Sequence, residues 1–368
     1  MKIGVLTSSR ADYGIYLPLL NELKKDIFFD LEIIAFGTHL SKRNGFTLSE
    51  IIKDGYDTIH EITSLVEDDS EKGIVISYGN TVLEFSNFWS TQKFDLVFCL
   101  GDRFEMSAAV QASIPFGVKL AHIHGGETTL GAIDNIYRHQ ISLASKYHFV
   151  STNDNMQKVE QLIGSSNLIY DVGSLSLSNI EIFKPDSRSV FFQNYKINDA
   201  PYILVTFHPE TVSVQNNLAF AKIMKDALTI LCNKINVIIT MPNADTLGSV
   251  YRNELNHLKI SNPEKVLLVE NFGKVNYFNA MFYSSLLIGN TSSGIIEAAS
   301  FNKYVINVGD RQKGRTSGTN VFNTGFDSVK IIEIFNKLVK EKDVKMDNIY
   351  FKKNTAKKII TTLKKTGI

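Results

Sequence analysis

The chain has 368 residues, 44% of them hydrophobic, and its 39 Lys and Arg against 38 Asp and Glu leave a net charge of +1. That length exceeds the usual single domain and can bury two cores, while the charge balance gives no global reason to bind nucleic acid or an acidic membrane surface. Two cysteines do not suggest a disulfide framework and fit a reducing, cytoplasmic setting. The opening "MKIGVLTSSR" turns polar after a few apolar residues and is expected as a first strand, not a signal peptide. No stretch reaches the roughly 18 apolar residues of a membrane span.

Apolar runs then alternate with helical patterns. "KIGVLTS" reads as a strand and "YLPLLNELKKD" as an amphipathic helix, followed by the strands "LEIIAFGTH", "FDLVFCLGD", "VKLAHIHGG", "YHFVST" and "LIYDVGS". A second series begins near residue 201 with "YILVTFH", "NVIITMP", "KVLLVEN", "SLLIGN" and "YVINVGD". These runs are nearly continuous in apolar residues, which marks parallel strands covered on both faces. Two doubly wound α/β domains follow from the pattern, over residues 1–175 and 195–350. The polar stretch "SNIEIFKPDSRSVFFQNYKINDAPYI" interrupts the rhythm between them. The basic tail, 351–368, is expected to be a helix packing back toward the first domain.

Ligands of open parallel sheets gather beyond the carboxyl ends of the strands. This chain puts chemistry there repeatedly: Arg10 and Asp12 in "SSRADYG", His39 in "GTHLS", Asp102 and Arg103 in "GDR", and His122, His124 and Glu127 in "HIHGGETT". Asp134, Arg138 and His139 follow in "DNIYRH". The second series supplies His208 in "FHPET", Asn243 and Asp245 in "MPNAD", then "GNTSSG" and "GDRQKGR". So many polar strand ends imply a cleft between two sheets.

Two of these loops favour an anion. In "GNTSSGIIEAA" small residues lead from a strand directly into a helix, so backbone N–H groups of Asn290 to Gly294 and the hydroxyls of Ser292 and Ser293 can face a phosphate. A plain helix cap is the alternative. Arg311, Lys313 and Arg315 add cations one strand later, and Glu297 can accept from ribose hydroxyls. No GxxxxGK[ST] or GxGxxG is present, so a nucleotide-sugar fits better than ATP or NAD. His122 and His124 alternate along a strand and are expected on one face. Without a Cys partner or HExxH they read as a solvent-facing strand-end pair, or as one anchoring and one catalytic histidine, before they read as metal ligands.

Taken together, "SSRADYG", "GDRFEM", "HIHGGE", "DNIYRH", "FHPET", "GNTSSG" and "GDRQKGR" resemble the hydrolysing UDP-N-acetylglucosamine 2-epimerases of bacterial sialic acid synthesis, in the same order over roughly residues 1–345. The resemblance implies a GT-B-like fold with the active cleft between two Rossmann-like domains. It implies conversion of a UDP-sugar to N-acetylmannosamine and UDP, no metal or redox cofactor, and a homodimer or homotetramer. Matched to the family's motifs, Asp102 and Asp134 fall on acid/base positions and His208 on the histidine near the leaving phosphate. Arg10, Arg103, Arg138, His139, Asn243, Asn290, Ser292, Ser293, Gly294, Glu297, Arg311 and Arg315 are the expected substrate contacts.

The chemistry asks for such a set. No carbonyl is conjugated to the sugar C2–H, so loss of UDP from C1 must accompany its removal. That requires carboxylates near the sugar and a cationic grip on UDP. Many relatives read "HIEGGE" where this chain has His124, so either His124 or Glu127 covers that carboxylate's task, or the change marks a different sugar. A 2,4-diacetamido-2,4,6-trideoxyglucose on UDP, as used for legionaminic acid, is the alternative substrate. A GT-B glycosyltransferase and a nucleotide-sugar-binding regulator are the alternative classes. The apolar stretch "LEFSNFW", residues 83–89, reads as an oligomer interface or as core.

Overall fold

A computed structural model describes residues 1–42, 45–68, 70–178, 180–210, 214–242, 248–341 and 345–367. The chain divides into two compact units. One comprises Met1–Glu127, Asp134–Glu181 and Tyr350–Ile368, and the other Thr128–Ile133 and Ile182–Ile349.

The first unit holds seven parallel strands: β1 (Lys2–Thr7), β2 (Asp30–Phe36), β3 (Thr58–Ile62), β4 (Leu96–Leu100), β5 (Leu120–Ile123), β6 (Tyr147–Val150) and β7 (Ile169–Asp171). They lie in the order β3-β2-β1-β4-β5-β6-β7. Side chains alternate between two covered faces. Ile3, Val5, Ile33, Phe98 and Phe149 meet helix Arg10–Lys25 through Tyr16, Leu19 and Leu23. Leu6, Ile34, Phe36, Val97 and Cys99 meet Phe85, Trp89, Met106 and Val110 on the other face. Phe85 and Trp89 of "LEFSNFW" are therefore core, with Trp89 Nε1 donating to the Ala109 carbonyl at 3.3 Å. The last helix, Thr355–Thr366, buries Ile359, Ile360 and Leu363 in the first of these clusters.

The second unit has six parallel strands: β8 (Tyr202–Thr206), β9 (Asn236–Thr240), β10 (Val266–Val269), β11 (Leu287–Gly289), β12 (Val305–Val308) and β13 (Val321–Thr324), in the order β10-β9-β8-β11-β12-β13. Helices Asn217–Cys232, Gly248–Ser261 and Ser328–Leu338 cover one face through Met224, Leu228, Tyr251, Leu255, Ile331 and Phe335. Helix Gly273–Tyr283 also packs against β8, and the Tyr202 hydroxyl donates to the Ala280 carbonyl at 2.6 Å. The stretch read as an interruption contains helix Arg188–Tyr195, whose Phe191 and Phe192 are buried.

Both sheets reverse direction once, between β1 and β4 in the first and between β8 and β11 in the second. In such sheets the two strands flanking the reversal send their following loops apart and open a crevice at their carboxyl ends.

Candidate active site

In the first unit that crevice collects the chemistry of three loops. Gly101, with φ of 76°, turns the chain off β4 and presents Asp102. Arg138, 2% exposed, lies on helix Asp134–Ala144 and donates through Nη2 to Asp102 Oδ2, through Nη1 to Glu127 Oε2 at 3.3 Å, and through Nη1 to the His124 carbonyl at 3.0 Å. Burial alone would weaken a guanidinium cation. Here Asp102, Glu127 and Asp134 outweigh burial and raise the Arg138 pKa further. Asp102 keeps a quarter of its side chain exposed, while Glu127 is buried and also accepts from the Ser151 hydroxyl at 3.2 Å. The result is a group of carboxylates around one fixed cation, with Asp102 the more open of the two that Arg138 binds directly. Groups of that kind can take and return protons. His139, one residue on, has its pKa lowered by burial and then by Arg138, which favours the neutral ring.

The two histidines of "HIHGG" do not share a face. β5 ends at Ile123, and His124 adopts φ of 65°, so strand alternation stops between them. His122 is fully buried. Its Nε2 stands 2.9 Å from the Gly101 carbonyl and its Nδ1 2.9 Å from the Ser142 hydroxyl. Burial pushes its pKa down to about 3, so the ring is neutral and donates to Gly101 from Nε2. His124 turns the other way, with Nε2 accepting from the Leu175 amide at 3.0 Å.

The loop after β1 is built on Asp12. Its carboxylate accepts from the amides of Ser8 and Ser9 and the hydroxyls of Thr7 and Ser8, and Ser9 caps helix Arg10–Lys25 in return. Burial opposes the Asp12 charge, but neighbouring His39 and these donors prevail and hold its pKa below the usual carboxylate range. His39 is itself buried, bridging the hydroxyls of Thr7 and Thr47. Both therefore shape the loop, and Arg10 is the exposed group it presents. Arg103 makes a bidentate pair with Glu105, at 2.8 and 3.2 Å. Tyr13, at the start of the same helix, is core, its hydroxyl bound to Asp54.

In the second unit, Asn290 ties the two strands of the reversal together. It accepts from the His208 amide and donates to the His208 carbonyl, both at 2.8 Å, and is fully buried. Gly289 is required because a Cβ there would stand 2.0 Å from the Thr206 carbonyl. Ser292 and Ser293 open the short helix Ser292–Ile296, Gly294 lies within it, and Glu297 closes it with 9% exposure. The loop after β12 is anchored from β8's end: Glu210 accepts from the Asp310 amide at 2.6 Å, and Arg311 donates to the Pro209 carbonyl at 2.6 Å. Burial raises the Glu210 pKa. Gln312 donates to the Asn290 carbonyl at 2.9 Å, and Arg315 is half-buried in the same loop. Leu130, from Thr128–Ile133, donates its amide to Lys313 at 2.9 Å, and Gly131 lies so close to the Asp310 carbonyl that a Cβ would stand 2.1 Å from it.

Asn243 and Asp245 lie outside the described residues. Sequence reading passes over Glu210, Gln312, Ser151 and the pair Tyr277 and Lys274. The Tyr277 hydroxyl stands 2.7 Å from Ser293 Oγ, and burial lowers the Lys274 pKa to about 8 against the opposing pull of Glu297. Glu210 and Gln312 carry a visible signal, their places in "FHPET" and "GDRQKGR". Among the described residues no three His, Cys, Asp or Glu side chains group closely enough to hold a metal ion, and no helix is long and apolar enough to cross a membrane.

The family model described as UDP-N-acetylglucosamine 2-epimerase matches residues 21–364. A UDP-N,N′-diacetylbacillosamine 2-epimerase (hydrolyzing) of Legionella pneumophila is 31% identical over 365 residues, covering 99% of this chain and 95% of that protein. A GDP/UDP-N,N′-diacetylbacillosamine 2-epimerase (hydrolyzing) of Campylobacter jejuni is 33% identical over 88% of this chain and 84% of its own length. Among solved structures, the UDP-GlcNAc 2-epimerase of Neisseria meningitidis bound to UDP-GlcNAc superposes with a TM-score of 0.82 at 19% identity, over 99% of this chain and all of that one. Two parallel sheets with this strand order and these neighbours make the fold GT-B-like. The chain belongs to the hydrolysing branch of the UDP-N-acetylglucosamine 2-epimerase family.

Proposed function

We propose that the protein hydrolyses a UDP-2-acetamido sugar with inversion at C2, releasing UDP and the 2-epimer of the sugar. The reaction begins with departure of UDP, whose oxygen takes the C1–O bonding electrons. As positive character builds at C1, the C2–H acidifies. A carboxylate removes that proton, and the C2–H electrons become the C1–C2 double bond of a glycal. A proton then returns to the opposite face of C2, water bonds to C1, and a base takes the water's proton. Asp102, Glu127 and Asp134 are the proton carriers of this reading. Arg10, His208, Ser292, Ser293, Arg311 and Arg315 grip the departing diphosphate, and Glu297 accepts from ribose. No cofactor enters.

The observation that supports this most directly is the grouping of Asp102 and Glu127 on one buried Arg138 at adjacent strand ends. The buried cation holds the two carboxylates in place beside each other, and a fixed carboxylate is the group that abstraction of a weakly acidic C2–H calls for. The activity for which the two relatives are named makes UDP-N,N′-diacetylbacillosamine the first substrate to test. UDP-N-acetylglucosamine is the second, because the Neisseria structure was solved with it bound.

Each sugar nucleotide is incubated with the protein in D2O and the products are identified by NMR. The expected result is UDP with the 2-epimeric sugar carrying deuterium at C2. A product without deuterium at C2 overturns the elimination route. UDP release that requires an added acceptor assigns a glycosyltransferase instead.

A further inference from the structure

His124 lies in the loop that leads from β5 to Glu127, and its surroundings forbid the role of proton carrier. A backbone N–H can only donate, so the Leu175 amide fixes a lone pair on His124 Nε2 and puts the ring proton on Nδ1. Leu175 is fully buried, and the Ser174 hydroxyl stands 3.3 Å from the same nitrogen. Protonating Nε2 would strand the Leu175 amide in a dry interior, and giving up the Nδ1 proton would leave an imidazolate. The rest of the residue is equally committed. Its amide donates to the Phe149 carbonyl at 3.0 Å, and its own carbonyl receives Arg138 at 3.0 Å. It also holds φ of 65°, which disfavours residues with a Cβ and persists only where contacts impose it.

We propose that His124 is a positioning residue, a neutral Nδ1–H ring that clamps the β5 loop to Leu175 so that its carbonyl seats Arg138 between Asp102 and Glu127. It carries no proton in the reaction, which leaves that work to the carboxylates. This rests on the reading of the chain as a hydrolysing 2-epimerase.

Two measurements test it. The first is the nitrogen-15 spectrum of histidine-labelled full-length protein, with the His124 signal assigned by its loss in His124→Gln. The expected spectrum shows a proton on Nδ1, none on Nε2, and no titration from about pH 6 to about pH 9. A titrating ring, or a proton on Nε2, overturns the assignment. The second is turnover. Gln offers a carbonyl oxygen to the Leu175 amide, so His124→Gln should retain kcat within about tenfold. His124→Leu, which offers none, should lose about 10²-fold or more. A proton carrier would instead make both variants fall alike, by about 10²- to 10⁴-fold, and that pattern sinks the proposal. If the wild type turns over neither sugar, the functional reading fails while the spectrum still decides the tautomer.

Discussion

A guanidinium that is 2% exposed and touches two carboxylates and a carbonyl cannot be removed cheaply. Deleting one partner of a buried ion group leaves the others charged and unpaired, at about 3–5 kcal/mol. Arg138→Met should therefore lower the unfolding free energy by that amount, read from urea denaturation, and abolish measurable UDP release. Arg138→Lys should recover little, because a point-charge ammonium cannot reproduce the fork that reaches Asp102, Glu127 and the His124 carbonyl at once. Asp102→Asn separates chemistry from folding. The amide oxygen can still accept from Arg138, so the melting temperature should stay near that of the wild type while kcat falls about 10²- to 10⁴-fold. A variant with unchanged turnover would remove Asp102 from the proton-transfer set. Asp102 and Glu127 were visible in the sequence as acids at strand ends. From the sequence Arg138 reads as a substrate contact, because helical spacing alone does not reveal that its side chain turns inward to the carboxylates.

At the scale of elements, His122 fastens three of them. Its ring on β5 contacts the carbonyl of Gly101 beyond β4 and the hydroxyl of Ser142 on helix Asp134–Ala144. These are the elements that carry Asp102 and Arg138. The bond has an acid limit. The folded-state pKa of about 3 lies below the ordinary 6.5, so between those values the unfolded chain binds a proton that the folded one refuses. Stability from this group is thus complete above pH 6.5 and is lost toward pH 3, at about 1.4 kcal/mol per pH unit. His122→Asn should unfold more readily than wild type at neutral pH, and urea midpoints of the two should converge as the pH drops below 6.5. A gap that stays constant with pH would show that the folded ring takes up its proton as the unfolded one does. Central strands were legible because both of their faces are apolar. β3, "TIHEI", and β13, "VFNT", were not, since each lies at a sheet edge and mixes polar with apolar residues. Helix Arg188–Tyr195 was hidden by its own polar half, although Phe191 and Phe192 supply a buried face.

For the molecule as a whole, the most consequential long-range feature is that the last helix completes the first unit. Thr355–Thr366 packs on Arg10–Lys25, and Thr355 Oγ1 donates to the Val172 carbonyl at 2.8 Å. Lys364 pairs with Asp26 at 2.5 Å, but that contact is largely solvated and adds little. The stabilisation comes from Ile359, Ile360 and Leu363, which share a cluster with Ile3, Val5 and Leu19 although more than 300 residues of chain separate them. Ile359 is fully buried, so Ile359→Ala combines lost transfer energy with a cavity and should cost about 2–5 kcal/mol. The second unit has its own core, and among the described residues this cluster is built from the first unit. Hydrogen exchange should then read the effect selectively, with faster exchange in β1, β4 and helix Arg10–Lys25 and unchanged protection in β8, β9 and β12. Acceleration spread evenly over both units would mean that they unfold as one body, and the last helix would be supporting the whole chain instead of the unit in which it is buried.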